Sequence, residues 1–402
     1  MICRFIVLVA LLLPAFVQAD NELYRLITER LLLMKPVAAY KWVHHLPIED
    51  LAREKIVIDS AISEGLVYSI DVDASESFFA AQIEAAKGIQ SCWFMRWQFG
   101  DAPDTADDLA NIIRPKLISL GRRITAHLID ADSAQQDKIN EEFQPTVDCL
   151  SINQKNNIAE ALQAITTYPN RLTQIKHSQR LRIGTTGDYA PFSMASTDGS
   201  FEGIDIDLAR DLAASFDAAP MFVQTTWPTL MQDLAAGQFD IAMSGVSLTA
   251  ARASEAFFSI PYHTGGKTPI SLCSRSQEFT TIGRIDKIGV SLIVNPGGTN
   301  EKFVNREITR ASIRLHRNNR TIFDEIIAGR ADLMITDAIE VRLQVARHPE
   351  LCATMPGKTL NLQEKAYMMP METSLLTAVN HWLKKIIVDG TRDRVFATHL
   401  TR

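Results

Sequence analysis

The apolar residues of this chain change their period near residue 170. From residue 22 to about 168 they recur at helical spacing. Leu23, Leu26, Ile27, Leu31 and Met34 mark one face, and Ala61, Ile62, Phe78, Phe79, Ile83, Ile112, Ile113, Leu117 and Leu120 continue the 3.6-residue repeat. Pro47, Gly65, the 100–103 stretch and Pro145 punctuate it, and no alternating β-branched run interrupts it. After Tyr168-Pro169-Asn170, short apolar runs at 181–185, 222–224, 241–243, 288–294 and 333–335 alternate with helical patterns at 206–216 and 375–387. Segments with one period do not settle into the other kind of element, so the chain divides: an all-α domain, then an α/β domain with strands of parallel-sheet type. A length of 402 residues suits two or three domains. Hydrophobic residues at 46% and charged residues at 22% exclude a disordered chain.

The first 19 residues read differently. Residues 5–17 are apolar and follow Arg4, and Val17-Gln18-Ala19 places small residues at the minus-three and minus-one positions. This is the pattern of a secretory signal peptide cleaved after Ala19. Thirteen residues are too few to span a bilayer as a helix, so the expectation is an exported, periplasmic protein with no membrane segment after cleavage. Export makes disulfides permissible. Cys273 ends a strand-like run and Cys352 follows His348-Pro349 in the same half, so these two are the expected pair; Cys92, inside a helical pattern, reads as a buried thiol. No Cys-x-x-Cys or His/Cys cluster suggests a metal, and the adjacent His44 and His45 would diverge on a helix. The net charge of −6 argues against a nucleic-acid partner. Residues 20–177 hold 16 Lys and Arg against 23 Asp and Glu, whereas residues 178–402 hold 24 of each. An anion site in either half must therefore be made by particular cations.

In the helical half such cations stand in register. Arg30, Lys41 and Arg53 are 11 and 12 residues apart, and the 11-residue spacing, close to three helical turns, lets Arg30 and Lys41 share a face. Each alone reads as a solvated lysine or arginine on an amphipathic helix. Together, Pro36-Val37-Ala38-Ala39-Tyr40-Lys41-Trp42, Leu46-Pro47-Ile48-Glu49-Asp50 with Arg53, the 81–90 segment ending in Gly88-Ile89-Gln90, Trp97, and Asp108-Leu109 with Arg114 resemble the exported subtype of the all-helical chorismate mutases. The resemblance covers about residues 22–170 and implies rearrangement of the dianion chorismate to prephenate without nucleophile, base or metal. Such an enzyme holds a compact conformer and stabilises charge on the breaking ether oxygen. By resemblance Arg30, Arg53 and Arg114 grip carboxylates, Lys41 and Gln90 donate to the ether oxygen, and Asp50 and Glu54 either meet the substrate hydroxyl or orient Lys41 and Arg53. Lys87, one turn from Gln90, reads equally as a border of the site or a surface lysine.

In the α/β half, Gly187-Asp188-Tyr189-Ala190-Pro191-Phe192, the 201–207 segment, Thr225-Thr226-Trp227 and the 239–245 segment resemble the amino-acid-type periplasmic solute-binding proteins. The resemblance implies two α/β lobes, 181–264 with 360–402 and 265–359, with ligand between them. It places Ser247 and Arg252 on a ligand carboxylate, Gly297-Gly298-Thr299-Asn300 at a helix N-terminus suited to an anion, Asp337 on an amino group, and Asp188, Tyr189 and Trp227 around the cleft. Singly, Trp227 reads as core and Arg252 as a surface cation. Gly266-Lys267-Thr268-Pro269, Asn295-Pro296-Gly297-Gly298-Thr299 and Thr336-Asp337-Ala338-Ile339-Glu340 are similar to the cyclohexadienyl dehydratases, which dehydrate prephenate or arogenate. By that resemblance Glu340 is the general acid that lets hydroxide leave as water, with a pKa raised by burial and by Asp337, while Lys267, Asn295, Arg252 and Thr299 hold substrate anions. Without it, Glu340 reads as a carboxylate on a helix surface.

The expected organisation is a leader over 1–19, a chorismate mutase domain over 20–170, a linker over 171–180 and a dehydratase domain over 181–402. The expected function is chorismate to prephenate and then prephenate to phenylpyruvate, or arogenate to phenylalanine, with no cofactor. Two other readings stay open: a transport binding protein carrying a helical domain, and a mutase with a sensory binding domain. The sequence leaves a homo-oligomer open, as it does the choice between prephenate and arogenate.

Overall fold

The computed structural model describes residues 17–129 and 145–400, and the greater part of the expected leader lies outside that range. The chain forms two compact units that meet at Pro169 and Asn170.

In the first unit, helices α1 (Val17–Leu32), α2 (Met34–Val43), α3 (Leu51–Val67), α4 (Val72–Trp97), α5 (Arg114–His127) and α6 (Ile152–Gln163) surround one core. The helix starts are chemically marked. The Asp71 carboxylate accepts from the amides of Asp73 and Ala74 at the head of α4, and Ser151 and Gln154 form a reciprocal capping box on α6. Leu23, Leu26, Ile27, Leu31 and Met34 are all buried, as their spacing predicts. Ile112 is an exception and stays exposed, because residues 109–113 wind as a single π-helical turn that shifts the face presented to the core.

The second unit has two sheets. Strands β1 (Arg180–Thr185), β5 (Ala219–Gln224) and β6 (Ile241–Ala242) are parallel, and β7 (Phe257–Phe258) and β15 (Met368–Met369) complete a sheet in the order β5-β1-β6-β15-β7. The other sheet runs β11 (Ser312–Leu315), β10 (Ser291–Val294), β12 (Leu333–Asp337), β9 (Lys267–Leu272), β13 (Leu351–Ala353). Between them lies a two-stranded antiparallel ribbon, β8 (His263–Gly265) with β14 (Gln363–Lys365). A small meander, β2 (Asp188–Tyr189), β3 (Ser193–Ala195) and β4 (Phe201–Glu202), carries the tip of the first lobe. Helix α7 (Arg171–Ser178) occupies the segment expected to be a linker. Asn170 caps it, Ile175 enters the core of the first lobe, and Arg171 lies beside the buried Asp240 at 3.4 Å. Leu172 packs against the same core, and Arg171 also reaches Glu372, so a helix of polar composition is anchored by two apolar residues and one arginine.

Cys273 and Cys352 are bonded, as expected, and join the start of a 3-10 turn to β13. The reading of Cys92 as a buried thiol is corrected: it is bonded to Cys149, whose left-handed backbone turns the chain back toward α4 ahead of α6. The 57-residue separation of that pair corresponds to about 4 kcal/mol of unfolded-state restriction. Replacing Cys92 and Cys149 together by alanine should therefore lower the melting of the helical unit by several degrees. The α/β unit should melt unchanged when both transitions are followed by calorimetry.

Candidate functional site

The helical unit encloses a cavity of about 650 Å³, and Arg30, Lys41, Asp50, Arg53, Glu54, Gln90 and Arg114 all line it. Five helices, α1 to α5, supply these residues, so cations far apart along the sequence converge through the bundle. Arg30 is fully buried. Its guanidinium donates to Gln82 at 3.0 Å and lies 5.8 Å from the Phe79 ring centre, and its Nε has no partner. Burial pushes its pKa down to about 10. A guanidinium without a carboxylate in an apolar cavity is a strong demand for an anion. The Lys41 ammonium donates to the Ile48 carbonyl at 2.5 Å. Burial lowers its pKa, opposed by Asp50 and Glu54 and reinforced by Arg114.

Asp50 and Glu54 act on the start of α3. The Asp50 carboxylate accepts the Arg53 amide at 3.0 Å, and Glu54 accepts the Asp50 amide at 3.3 Å. Asp50 thus orients the backbone of Arg53 rather than its guanidinium. Lys87 borders the cavity and is tied to Glu84 at 2.6 Å and Glu54 at 3.4 Å. The Gln90 amide nitrogen donates to the Ala86 carbonyl at 3.1 Å and to the weakly accepting Met34 sulfur at 3.9 Å, and its oxygen has no partner. Ile83 and Leu117, expected in the core, line the cavity and supply apolar wall.

In the α/β unit a second set of residues meets where the lobes close. Asp337, at the end of β12, is buried between two ammoniums: Lys267 at 2.7 Å on one oxygen and Lys365 at 2.8 Å on the other, with the Tyr189 hydroxyl also donating to it. Burial alone would raise its pKa, but the two lysines override that and hold it well below the carboxylate range. Lys267 also donates to Thr299 at 3.0 Å and to Asn300. Asn300 in turn donates to Asn295 at 3.3 Å and Thr336 at 3.0 Å. Glu340, in the first turn of α14 (Ala338–Arg347), accepts from the Thr336 hydroxyl and is 2% exposed. Burial foremost, with the Asp337 charge adding to it, pushes its pKa up to about 8 despite the Thr336 hydrogen bond and the two lysines. The reading of Glu340 as a helix-surface carboxylate is excluded by this burial.

The remaining expected residues frame the same region. The Trp227 indole donates to Asp188 at 3.1 Å and stands edge-on to Tyr189. Arg252, buried, donates to the Ser247 carbonyl at 3.0 Å, and burial lowers its pKa to about 10. It too is a buried cation rather than a surface one. Gly297 marks a close approach between lobes. With φ +82° its missing Cβ would lie 2.7 Å from the Pro228 nitrogen, so a side chain there would hold the cleft open. The amine seat expected at Asp337 is taken, since both of its oxygens already receive ammonium groups.

Three members of this cluster had no signal in the sequence reading: Lys365, Asn300 and Thr336. Thr336 and Asn300 stand inside quoted motifs and could have been suspected. Lys365 stands alone on the returning ribbon, more than 100 residues from Gly245 and Ser247, which it also contacts.

A two-lobed α/β fold with a polar cluster in its cleft defines an extracellular binding-protein class. Residues 181–402 match the bacterial extracellular solute-binding proteins, family 3, and the chain belongs to that family. Residues 17–91 match chorismate mutase type II, so an N-terminal mutase-type helical domain precedes the binding-protein domain. The cyclohexadienyl dehydratase of Pseudomonas aeruginosa is 48% identical over 223 residues, which span 56% of this chain and 83% of that protein. The L-cystine-binding protein TcyJ of Escherichia coli is 24% identical over 221 residues, 55% of this chain and 82% of that protein. Among solved structures, an ancestral amino acid-binding protein, a precursor of cyclohexadienyl dehydratase, is 32% identical with a TM-score of 0.53, over 57% of this chain and 98% of that one. Among the described residues no helix is long and apolar enough to cross a membrane.

The raised pKa of Glu340 yields a direct check. With carboxyl-labelled glutamate, one carbon resonance should titrate with a midpoint near pH 8, protonated below and ionised above, and Glu340→Gln should remove it. A Glu340 midpoint near 4.5 would mean that the cleft is wet.

Proposed function

We propose that this chain is a bifunctional enzyme that rearranges chorismate to prephenate in its helical unit and converts prephenate to phenylpyruvate in its α/β unit. The observation that carries the reading is the pairing of a protonated, buried Glu340 with the ionised Asp337–Lys267 pair in a cleft of the dehydratase type. In the first reaction, Arg30, Arg53 and Arg114 bind the two carboxylates of chorismate, and the cavity walls hold its compact conformer. Lys41 and the Gln90 N–H that otherwise faces the weakly accepting Met34 sulfur donate to the ether oxygen as its bond to the ring breaks. No proton changes hands.

In the second reaction the ring carboxylate of prephenate leaves as carbon dioxide. The electron pair of that bond moves into the ring and expels the hydroxyl at the opposite carbon. Glu340 supplies the proton, so the products are phenylpyruvate, carbon dioxide and water. Lys267, Asn295, Thr299 and Arg252 hold the substrate anions. With Glu340 neutral, Lys267, Lys365 and Asp337 together carry one positive charge in excess, which suits an anionic substrate. The two ammoniums on Asp337 disfavour a third from arogenate at that point, so prephenate is the substrate the cluster supports. A family of extracellular proteins, an apolar leader in the sequence and two disulfides all support a periplasmic location. The sister reading as a transport binding protein has no use for a protonated acid in the cleft.

Glu340→Gln should lower the turnover of prephenate by at least ~100-fold while prephenate binding, measured by calorimetry, persists. Undiminished turnover would remove the assignment. Gln90 needs no proton to donate, so the mutase rate should hold from pH 7 to 9 and decline only as Lys41, below its ordinary 10.5, and Arg30, near 10, lose their charge. A steep loss near neutrality would show that another group governs that step.

A further inference from the structure

We propose that Lys365 is a positioning residue of the dehydratase centre: from the ribbon between the lobes it clamps Asp337 in place, and Asp337 in turn sets Glu340. The inference rests on the dehydratase reading above and assigns a part of that same site.

The geometry is specific. Lys365 is the last residue of β14, on the ribbon that links the lobes, and it is 3% exposed. Its ammonium spans both lobes. It donates to the Gly245 carbonyl at 2.7 Å and faces the Ser247 hydroxyl at 3.4 Å on one side, and it meets Asp337 at 2.8 Å on the other. The Tyr189 and Phe192 rings lie 4.9 and 5.1 Å from it and exclude water. Gly245 is itself fixed, because its amide donates to the buried Asp205 carboxylate at 2.5 Å. The ammonium therefore joins two anchored groups, one in each lobe.

Asp337 occupies the N-cap position of α14, yet its carboxylate makes no capping hydrogen bond. An aspartate there ordinarily satisfies a free amide of the first turn. Here it turns away from its helix toward Lys267, Lys365 and Tyr189, so the lysines decide where the carboxylate points. Glu340 follows three residues later, one turn along the same helix. Lys365 makes no hydrogen bond to Glu340; its influence passes through Asp337 and through its charge.

The groups facing Glu340 are the Thr336 hydroxyl, Asp337, Lys267, Lys365 and, from the first lobe, the Tyr189 phenol, which burial and the neighbouring carboxylates keep neutral. Those facing Lys365 are Asp337, Lys267, Asp205, Tyr189 and, on the paired strand β8, His263. Burial and then Lys365 push the His263 pKa down to about 4, so His263 is neutral and adds no charge. Removing the Lys365 charge leaves Asp337 paired to Lys267 alone and withdraws one cation that stabilises ionised Glu340.

The experiment uses the full chain, with prephenate as substrate and the variants Lys365→Met and Lys365→Arg. K365M should lower kcat at least tenfold with KM changed less than threefold, and its alkaline limb in kcat should move to higher pH. K365R keeps the charge, so its limb should stay at the wild-type position and part of kcat should return. Unchanged chorismate rearrangement by both variants, with an unchanged circular dichroism spectrum, will show that the chain is folded. Wild-type kcat in K365M, or equal losses in both variants with the limb unmoved, would overturn the proposal. Failure of the wild-type chain to turn over prephenate would overturn the dehydratase reading with it. Turnover by the wild type and an indifferent K365M would overturn this inference alone.

Discussion

Charge withdrawn from water has to be matched or surrendered, and both candidate sites are built on that constraint. The helical cavity leaves it unmet on purpose. Arg30 is buried with only an amide partner at 3.0 Å and an aromatic face beside it, so the favourable completion is an anion from solution. The α/β cleft meets it internally. Asp337 keeps its charge because two ammoniums reach it, whereas Glu340, with a hydroxyl as its one hydrogen-bond partner, keeps its proton. Two carboxylates three residues apart are thus driven in opposite directions by their neighbours. That separation of roles is what acid catalysis in a closed site requires.

The two sites apply the constraint to different chemistry. A pericyclic rearrangement moves no proton, so its site offers cations and an amide as donors, with Asp50 and Glu54 at the start of α3 and apolar wall completing about 650 Å³. Loss of hydroxide needs a proton donor at neutral pH, and a binding-protein fold can provide one because its lobes close and expel water. Gly297 against Pro228 and Tyr189 against Asp337 mark that closure. Amino-acid binders and a dehydratase are both similar to this α/β unit, so the framework by itself does not decide between binding and reaction.

Much of this was legible in the sequence. The change of period at Tyr168-Pro169-Asn170 marks the division of architecture, because a helical repeat and short strand runs cannot exchange places. Arg30, Lys41 and Arg53 were visible as cations, but they stand on three successive helices, so the packing of α1, α2 and α3 rather than a shared helix face brings them together. Asp337 and Glu340 were visible as acids one turn apart. What stayed hidden depends on contacts distant along the chain. Lys365 meets Gly245 and Asp337 only when the ribbon folds back. Cys149 reaches Cys92 only because α4 and α6 lie antiparallel beside each other, and α7 looked like a linker because only Leu172, Ile175 and the Arg171 pairs with Asp240 and Glu372 hold it. The π-helical turn at 109–113 moved Ile112 outward, since local winding overrides an averaged period.

The central claim is that one chain carries two consecutive reactions. Its most direct measurement is a time course of the purified mature protein with chorismate alone, following prephenate and phenylpyruvate together. The account predicts that prephenate rises first and then falls as phenylpyruvate accumulates, with no added cofactor. Prephenate that accumulates to completion with no phenylpyruvate would contradict it and leave the α/β unit a binding domain.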